Sequence, residues 1–235
     1  MFGGKMFSFR PIAVAFLLIL VSGSLCLGQD FSTYRGFQLG STVESVLKTV
    51  GMARSDVRTI SVRPALIEEL EWNTSRTGTR SDLGASIRGI RFTFHSNELF
   101  KMVVTYDPRE TEGLTTADVS EAISAQYGTM TVPENVSVVI SADSSTFQDS
   151  QQVTALWQDP HYSYSLYRST YGGAFGMVII SKEGALKASL AQKESLRLDQ
   201  LEAPQKELAR VKKEEAERRA AQETARAANK VEFRP

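Results

Sequence analysis

Gly40-Ser41-Thr42-Val43-Glu44-Ser45-Val46-Leu47-Lys48-Thr49-Val50-Gly51 decides the fold class of this chain. Ser41 is a helix-capping residue type, and Glu44, three residues on, is placed to close a capping box. Val43, Val46, Leu47 and Val50 recur at three- and four-residue spacing and so share one helical face. Gly51 supplies a left-handed stop. A second stretch repeats this grammar. Thr115 is its cap, Asp118 takes the partner slot, Val119, Ala122, Ile123 and Gln126-Tyr127 form the face, and Gly128 ends it.

Each predicted helix leads into strand-like sequence. After the first come Ile67 to Trp72, a polar loop through Gly78 and Asp82, Ile87 to Phe94, a turn at His95-Ser96-Asn97, and Leu99 to Tyr106. After the second come Val136 to Ile140, Val153 to Trp157, Tyr162 to Tyr167, and, beyond Gly172-Gly173, Phe175 to Ile180. Corresponding landmarks lie at similar offsets: Ser41 to Thr115 is 74 residues, Gly51 to Gly128 is 77 and Trp72 to Trp157 is 85. The expectation is an α+β protein of two similar helix-plus-antiparallel-sheet units in tandem, residues 29–110 and 111–181. One unrepeated α+β domain is the simpler alternative.

The two ends of the chain read differently. Lys5 and Arg10, the apolar run Ile12 to Val21 and the small residues around Gly28 have the layout of a secretory signal peptide over residues 1–28, cut after Gly28. The run falls short of the roughly 20 apolar residues of a membrane span. No stable span is therefore expected after cleavage, and the protein is expected in the periplasm or outside the cell. Cys26 is the only cysteine. As a lipidated N-terminus it would anchor the protein instead, but bulky Leu25 just before it argues against that. After cleavage at Gly28 no disulfide can form, and apolar burial must hold the fold.

Residues 182–235 are rich in strong helix formers and read as one long charged helix, kinked or restarted at Pro204. Leu186, Leu190, Leu198, Leu201, Leu208 and Val211 give its first half a partial apolar stripe, suited to docking on the body or to self-association through residues 182–211. The second half reads as an exposed, charge-laced helix without the sustained heptads of a coiled coil. From Lys182 onward there are 13 basic and 10 acidic residues, whereas Gln29 to Ser181 has 12 and 17. An acidic body is a poor partner for nucleic acid.

The sequence yields little chemistry. His95 and His161 are the only histidines, and neither a zinc-protease helix nor a calcium loop is present, so no metal and no cofactor is expected. Glu68, Glu69 and Glu71 are a carboxylate cluster, but strand alternation puts Glu69 and Glu71 on one face and Glu68 on the other, which reads as a solvated strand. His161 with Asp159, near Ser163 and Ser165, lacks a nucleophile-elbow motif. Tyr162, Tyr164 and Leu166 alternate with Ser163, Ser165 and Tyr167. An exposed tyrosine face here, with Phe175 from the next strand, would make a recognition surface. The same tyrosines packed beneath the tail helix are the competing reading.

Leu39-Gly40-Ser41-Thr42, with Val46 and Gly51 behind it, resembles a motif of the β-lactamase inhibitor proteins and of the small lipoproteins of the outer-membrane barrel assembly machinery. The likeness spans roughly residues 34–181. It implies a non-catalytic, exported protein-binding module. The inhibitors' disulfides have no counterpart here. The function expected is binding to an unknown protein partner of the envelope or outside the cell. The rivals are a hydrolase with a carboxylate or hydroxyl site, and a spacer or oligomerisation protein working through its C-terminal helix.

Overall fold

The α1 helix spans Val43–Val50, and Val43, Val46, Leu47 and Val50 are all buried, as their spacing requires. Its cap is Thr42 rather than Ser41: the Thr42 hydroxyl accepts from the Ser45 N–H, which leaves Glu44 outside any capping box. Ser41 serves elsewhere, its carbonyl accepting from the Leu99 N–H at 2.9 Å. Asn97 Oδ1 accepts from the Val43 N–H, a second cap supplied by a distant turn. Gly51 ends the helix at φ 68°, the left-handed conformation that favours glycine.

The computed structural model describes residues 30–74, 85–139, 150–169, 173–232 and 234. The signal segment with Cys26 and Gly28, the loop through Gly78 and Asp82, Ile140 and Gly172 lie outside the described residues.

A small hairpin, β1 (Thr33–Tyr34) and β2 (Phe37–Gln38), precedes α1. After α1 and a short 3-10 turn come β3 (Val57–Ser61), β4 (Ile67–Asn73), β5 (Ile87–His95) and β6 (Glu98–Tyr106). The α2 helix (Thr116–Tyr127) follows, with Thr115 and Asp118 forming the expected capping box. Then come β7 (Ser137–Val139), β8 (Ser150–Gln158), β9 (Tyr162–Arg168), β10 (Phe175–Ser181) and the α3 helix (Lys182–Glu232).

Strands β3 to β10 form one antiparallel sheet in the order β3-β4-β5-β6-β10-β9-β8-β7. Each helix is thus followed by a four-stranded meander, and the meanders join where β6 pairs with β10. A single core lies beneath both. It contains Val43, Val46 and Leu47 of α1 and Val119 and Tyr127 of α2, against Trp72, Phe92, Met102, Trp157, Leu166 and Met177 of the sheet. Both helices therefore cover the same sheet face. Trp72 and Trp157, on the second strand of each meander, are among the largest fully buried side chains. Trp157 Nε1 donates to the Ser124 hydroxyl and the Gly128 carbonyl, each at 3.1 Å, fastening β8 to the end of α2.

The β1–β2 hairpin spans the junction. Phe37 packs on Phe92 and Trp72 of the first meander, with ring centroids 4.8 and 6.1 Å away. Tyr34 of β1, and Phe31 just before it, pack on Tyr164 of the second meander, at 6.3 and 5.4 Å. Two short strands therefore tie both meanders to the helical layer, and the aromatic area they bury is what makes such a small hairpin stable.

Candidate functional site

The proposed recognition face of Tyr162, Tyr164 and Phe175 is not on the surface. Tyr164 is fully buried, Phe175 is 2% exposed, and Tyr162 is half-buried against the same core. The alternation is as expected, with tyrosines on one face and small hydroxyls on the other, but the tyrosine face is the one that the hairpin and α2 cover. The Tyr164 hydroxyl donates to the Thr33 carbonyl at 3.0 Å, and the Tyr34 and Tyr106 hydroxyls lie 3.3 Å apart. Burial raises the pKa of Tyr34, Tyr106 and Tyr164, and it pushes Tyr127 up to about 12. A buried phenol cannot shed its proton without placing an anion in an apolar core. These tyrosines are structural.

On the opposite sheet face, cross-strand neighbours form rows. One row runs Arg58, Glu69, Thr93, Lys101, Ile180, Ser163, and the next runs Glu71, Arg91, Val103, Val178, Ser165, Leu156. Charge is thus concentrated on β3 to β6, and small or apolar side chains on β8 to β10. Glu69, 7% exposed, meets Arg58 at 3.3 Å and Arg91 at 3.8 Å. Lys101 sits in the same row with its pKa lowered to about 8, first by burial and then by Arg91, while Glu69 opposes the shift. Val103, Val178 and Tyr167 form a second buried apolar cluster beside these charges. A β-carbon on Gly176 would fall 2.3 Å from the Tyr167 ring, so the tyrosine lies directly across that glycine.

The carboxylates divide as strand alternation requires, with Glu68 on the helical face and Glu69 and Glu71 on the other. They are not a solvated strand, however. Glu68 is 4% exposed and paired with Arg54, and Glu69 is nearly as buried; Glu71 alone of the three is exposed. Recesses open on the body among the described residues. One of about 270 Å³ is lined by Glu71, Gly89, Arg91 and Tyr167. One of about 150 Å³ beside α3 includes His95, Glu98 and Lys187. Another, of about 570 Å³, lies between the Thr111–Thr116 segment and Arg168. His95 and Glu71 thus line different recesses, and Glu68 and His161 line none of the three. Among the described residues, no group of three or more His, Cys, Asp or Glu side chains could hold a metal ion.

The α3 helix is the remaining feature. It follows β10 without a linker and runs 51 residues, about 75 Å at helical rise, through Pro204 without an interruption in helical structure. Gly184, Ala188, Ala191, Ser195, Leu198 and Glu202, spaced four and three apart, form its half-buried face. A β-carbon on Gly184 would come within 2.4 Å of Phe100 Cβ, so only glycine permits this approach to β6. Farther along, Arg63 of the β3–β4 loop grips Glu202 through two nitrogens at 2.7 and 2.8 Å and Asp199 at 3.1 Å. With Lys206 added, these bonds depress the Glu202 pKa to about 2.

The apolar stripe read from the sequence does not dock. Leu186, Leu190, Leu201 and Leu208 are 55–63% exposed and lie opposite the docked face; of the six residues in that stripe only Leu198 turns inward. Beyond Glu202 every residue from Ala203 to Val231 is exposed. That half is supported by pairs on its own surface, including Arg210 with Glu207 and Glu214, and Lys213 with Glu217. No helix among the described residues is long and apolar enough to cross a membrane.

No protein-family model, curated protein or solved structure matches the chain.

Proposed function

We propose that the chain is an exported, non-catalytic protein-binding module whose interaction element is the C-terminal helix, with the α+β body as its rigid base. One observation carries this reading. A helix fixed to the body through residue 202 continues for about 45 Å with all its faces in water, from Ala203 to Val231. A polar helix without tertiary cover typically bridges to something or rests on its own charge pairs. The outward leucines give this one more apolar surface than solubility alone would call for. The signal-like first 28 residues support export.

The two meanders, each behind a capped helix and each burying one tryptophan on its second strand, support the finer reading of a tandem repeat over residues 29–110 and 111–181. That organisation agrees with the resemblance carried by Leu39 to Gly51. The hydrolase reading is weaker, because Glu71 and His95 line different recesses and neither recess includes Glu68 or His161.

The test is capture from an envelope extract by two immobilised forms, the chain from Gln29 to Pro235 and the same chain stopped after Glu202. The second form keeps the docked half of α3. A protein retained by the long form and lost from the short one supports the helix as the binding element. Equal retention by both would move binding to the body, and retention by neither would count against a binding function.

A further inference from the structure

We infer that the outward face of α3 is a self-association surface on which a second copy of this chain packs antiparallel, about a two-fold axis close to Pro204. This rests on the helix reading above and names its partner. The outward face runs Leu186, Leu190, Lys193, Arg197, Leu201, Pro204, Leu208, Val211 and Glu215 at three- and four-residue spacing. The body lies on the opposite side of the helix, so it does not obstruct a partner seated there.

Charge selects the orientation. In a parallel, in-register pair, Lys193 and Arg197 would stack on their own copies and repel. In an antiparallel pair centred on Pro204, Lys193 instead lies opposite the partner's Glu215, and Arg197 opposite its Val211. Leu201 and Leu208 of both copies then converge at the axis. The docked part, Lys182 to Glu202, is 21 residues long, and the free part, Ala203 to Glu232, is 30. Antiparallel packing lays the docked part of each copy along the free part of the other, which has no cover of its own. The overlap, from Lys182 to Arg226 of each copy, is about 65 Å long. Two basic positions within the stripe keep the pairing modest.

Sedimentation equilibrium on the chain from Gln29 tests the state, and single cysteines test the geometry, since that chain contains none of its own. A dimer is expected, weakened roughly tenfold or more by Leu201→Asp with Leu208→Asp. Both side chains are solvent-exposed, so circular dichroism should show unchanged folding. Pro204→Cys should cross-link to itself. Leu190→Cys should not, but should cross-link when mixed with Arg218→Cys. A monomer at all concentrations, or self-cross-linking of Leu190→Cys as strong as that of Pro204→Cys, would overturn the inference. A monomer that still captures an envelope protein only when residues 203–235 are present would overturn the pairing and leave the helix reading standing.

Discussion

The two halves of α3 are built from the same residue types and are held by different forces. Lys182 to Glu202 lies on the body because a row of small side chains lets the backbone approach and Arg63 clasps its far end. Ala203 to Val231 is exposed at every residue, and its helicity rests on intrinsic propensity and on ion pairs contributing about 0.2–0.5 kcal/mol each. Helix propensity alone does not separate the halves. Position relative to the sheet does, because α3 leaves the end of β10 and crosses beside β6 before it runs past the body.

Damage to the body should separate the halves most strongly. Trp157→Ala empties a fully buried site and removes two hydrogen bonds to the α2 region, at an expected cost of about 3–5 kcal/mol. Denaturation followed by fluorescence of Trp72 should shift by that amount, while helicity of the segment after Glu202 should persist.

Lys101→Met acts in the opposite direction. Folding lowers the Lys101 pKa to about 8, so the unfolded chain binds the extra proton between about pH 8 and 10.5. The charged lysine therefore weakens the native state at neutral pH, and that penalty fades as pH rises through this window. The methionine variant should be more stable by about 1–3 kcal/mol at pH 7 and equal to the parent near pH 10.5. Urea titrations at the two pH values check this. The buried tyrosines set the limit beyond. Their pKa values are raised, so the stability they confer is intact below pH 10 and is lost as pH climbs through about 12, where Tyr127 ionises. Phenolate absorbance should therefore rise late and together with unfolding.

Gly184→Ala sharpens the contrast at smaller scale. The added carbon meets Phe100, and overpacking of this kind costs about 1–3 kcal/mol, less what alanine returns as a better helix former. Faster amide exchange between residues 184 and 202, with none of the change beyond Glu202, is the expected signature. Arg63→Ala should have the smallest effect, since Arg63 and Asp199 are exposed and Glu202 is only half-buried. It should speed exchange near Asp199 and Glu202 and leave global stability within about 0.5 kcal/mol.

Much of the body was legible because its signals are local. The α1 face, Gly51, the Thr115–Asp118 box and seven of the eight sheet strands follow from periodicity and caps. The β1–β2 hairpin was not legible, since two-residue strands carry no period. Edge strand β3 was missed as well, because Val-Arg-Thr-Ile-Ser mixes the faces. Alternation separated tyrosine from serine on β9 but could not say which face was covered. That is settled by Phe31 and Tyr34, more than 120 residues away in sequence. The stripe on α3 misled for a related reason. Leucines looked like the docking face, but the space beside Phe100 admits only glycine, and the sequence sign of docking was the run of small residues from Gly184 to Ser195.

The division of α3 at Glu202 can be measured directly by hydrogen exchange, residue by residue, on dilute monomer. The account predicts slow exchange from Gly184 to Glu202 and a sharp step to fast exchange from Ala203 onward. Uniform protection through Val231 in the monomer would contradict it, because the outer half would then be packed on the body and unavailable to any partner.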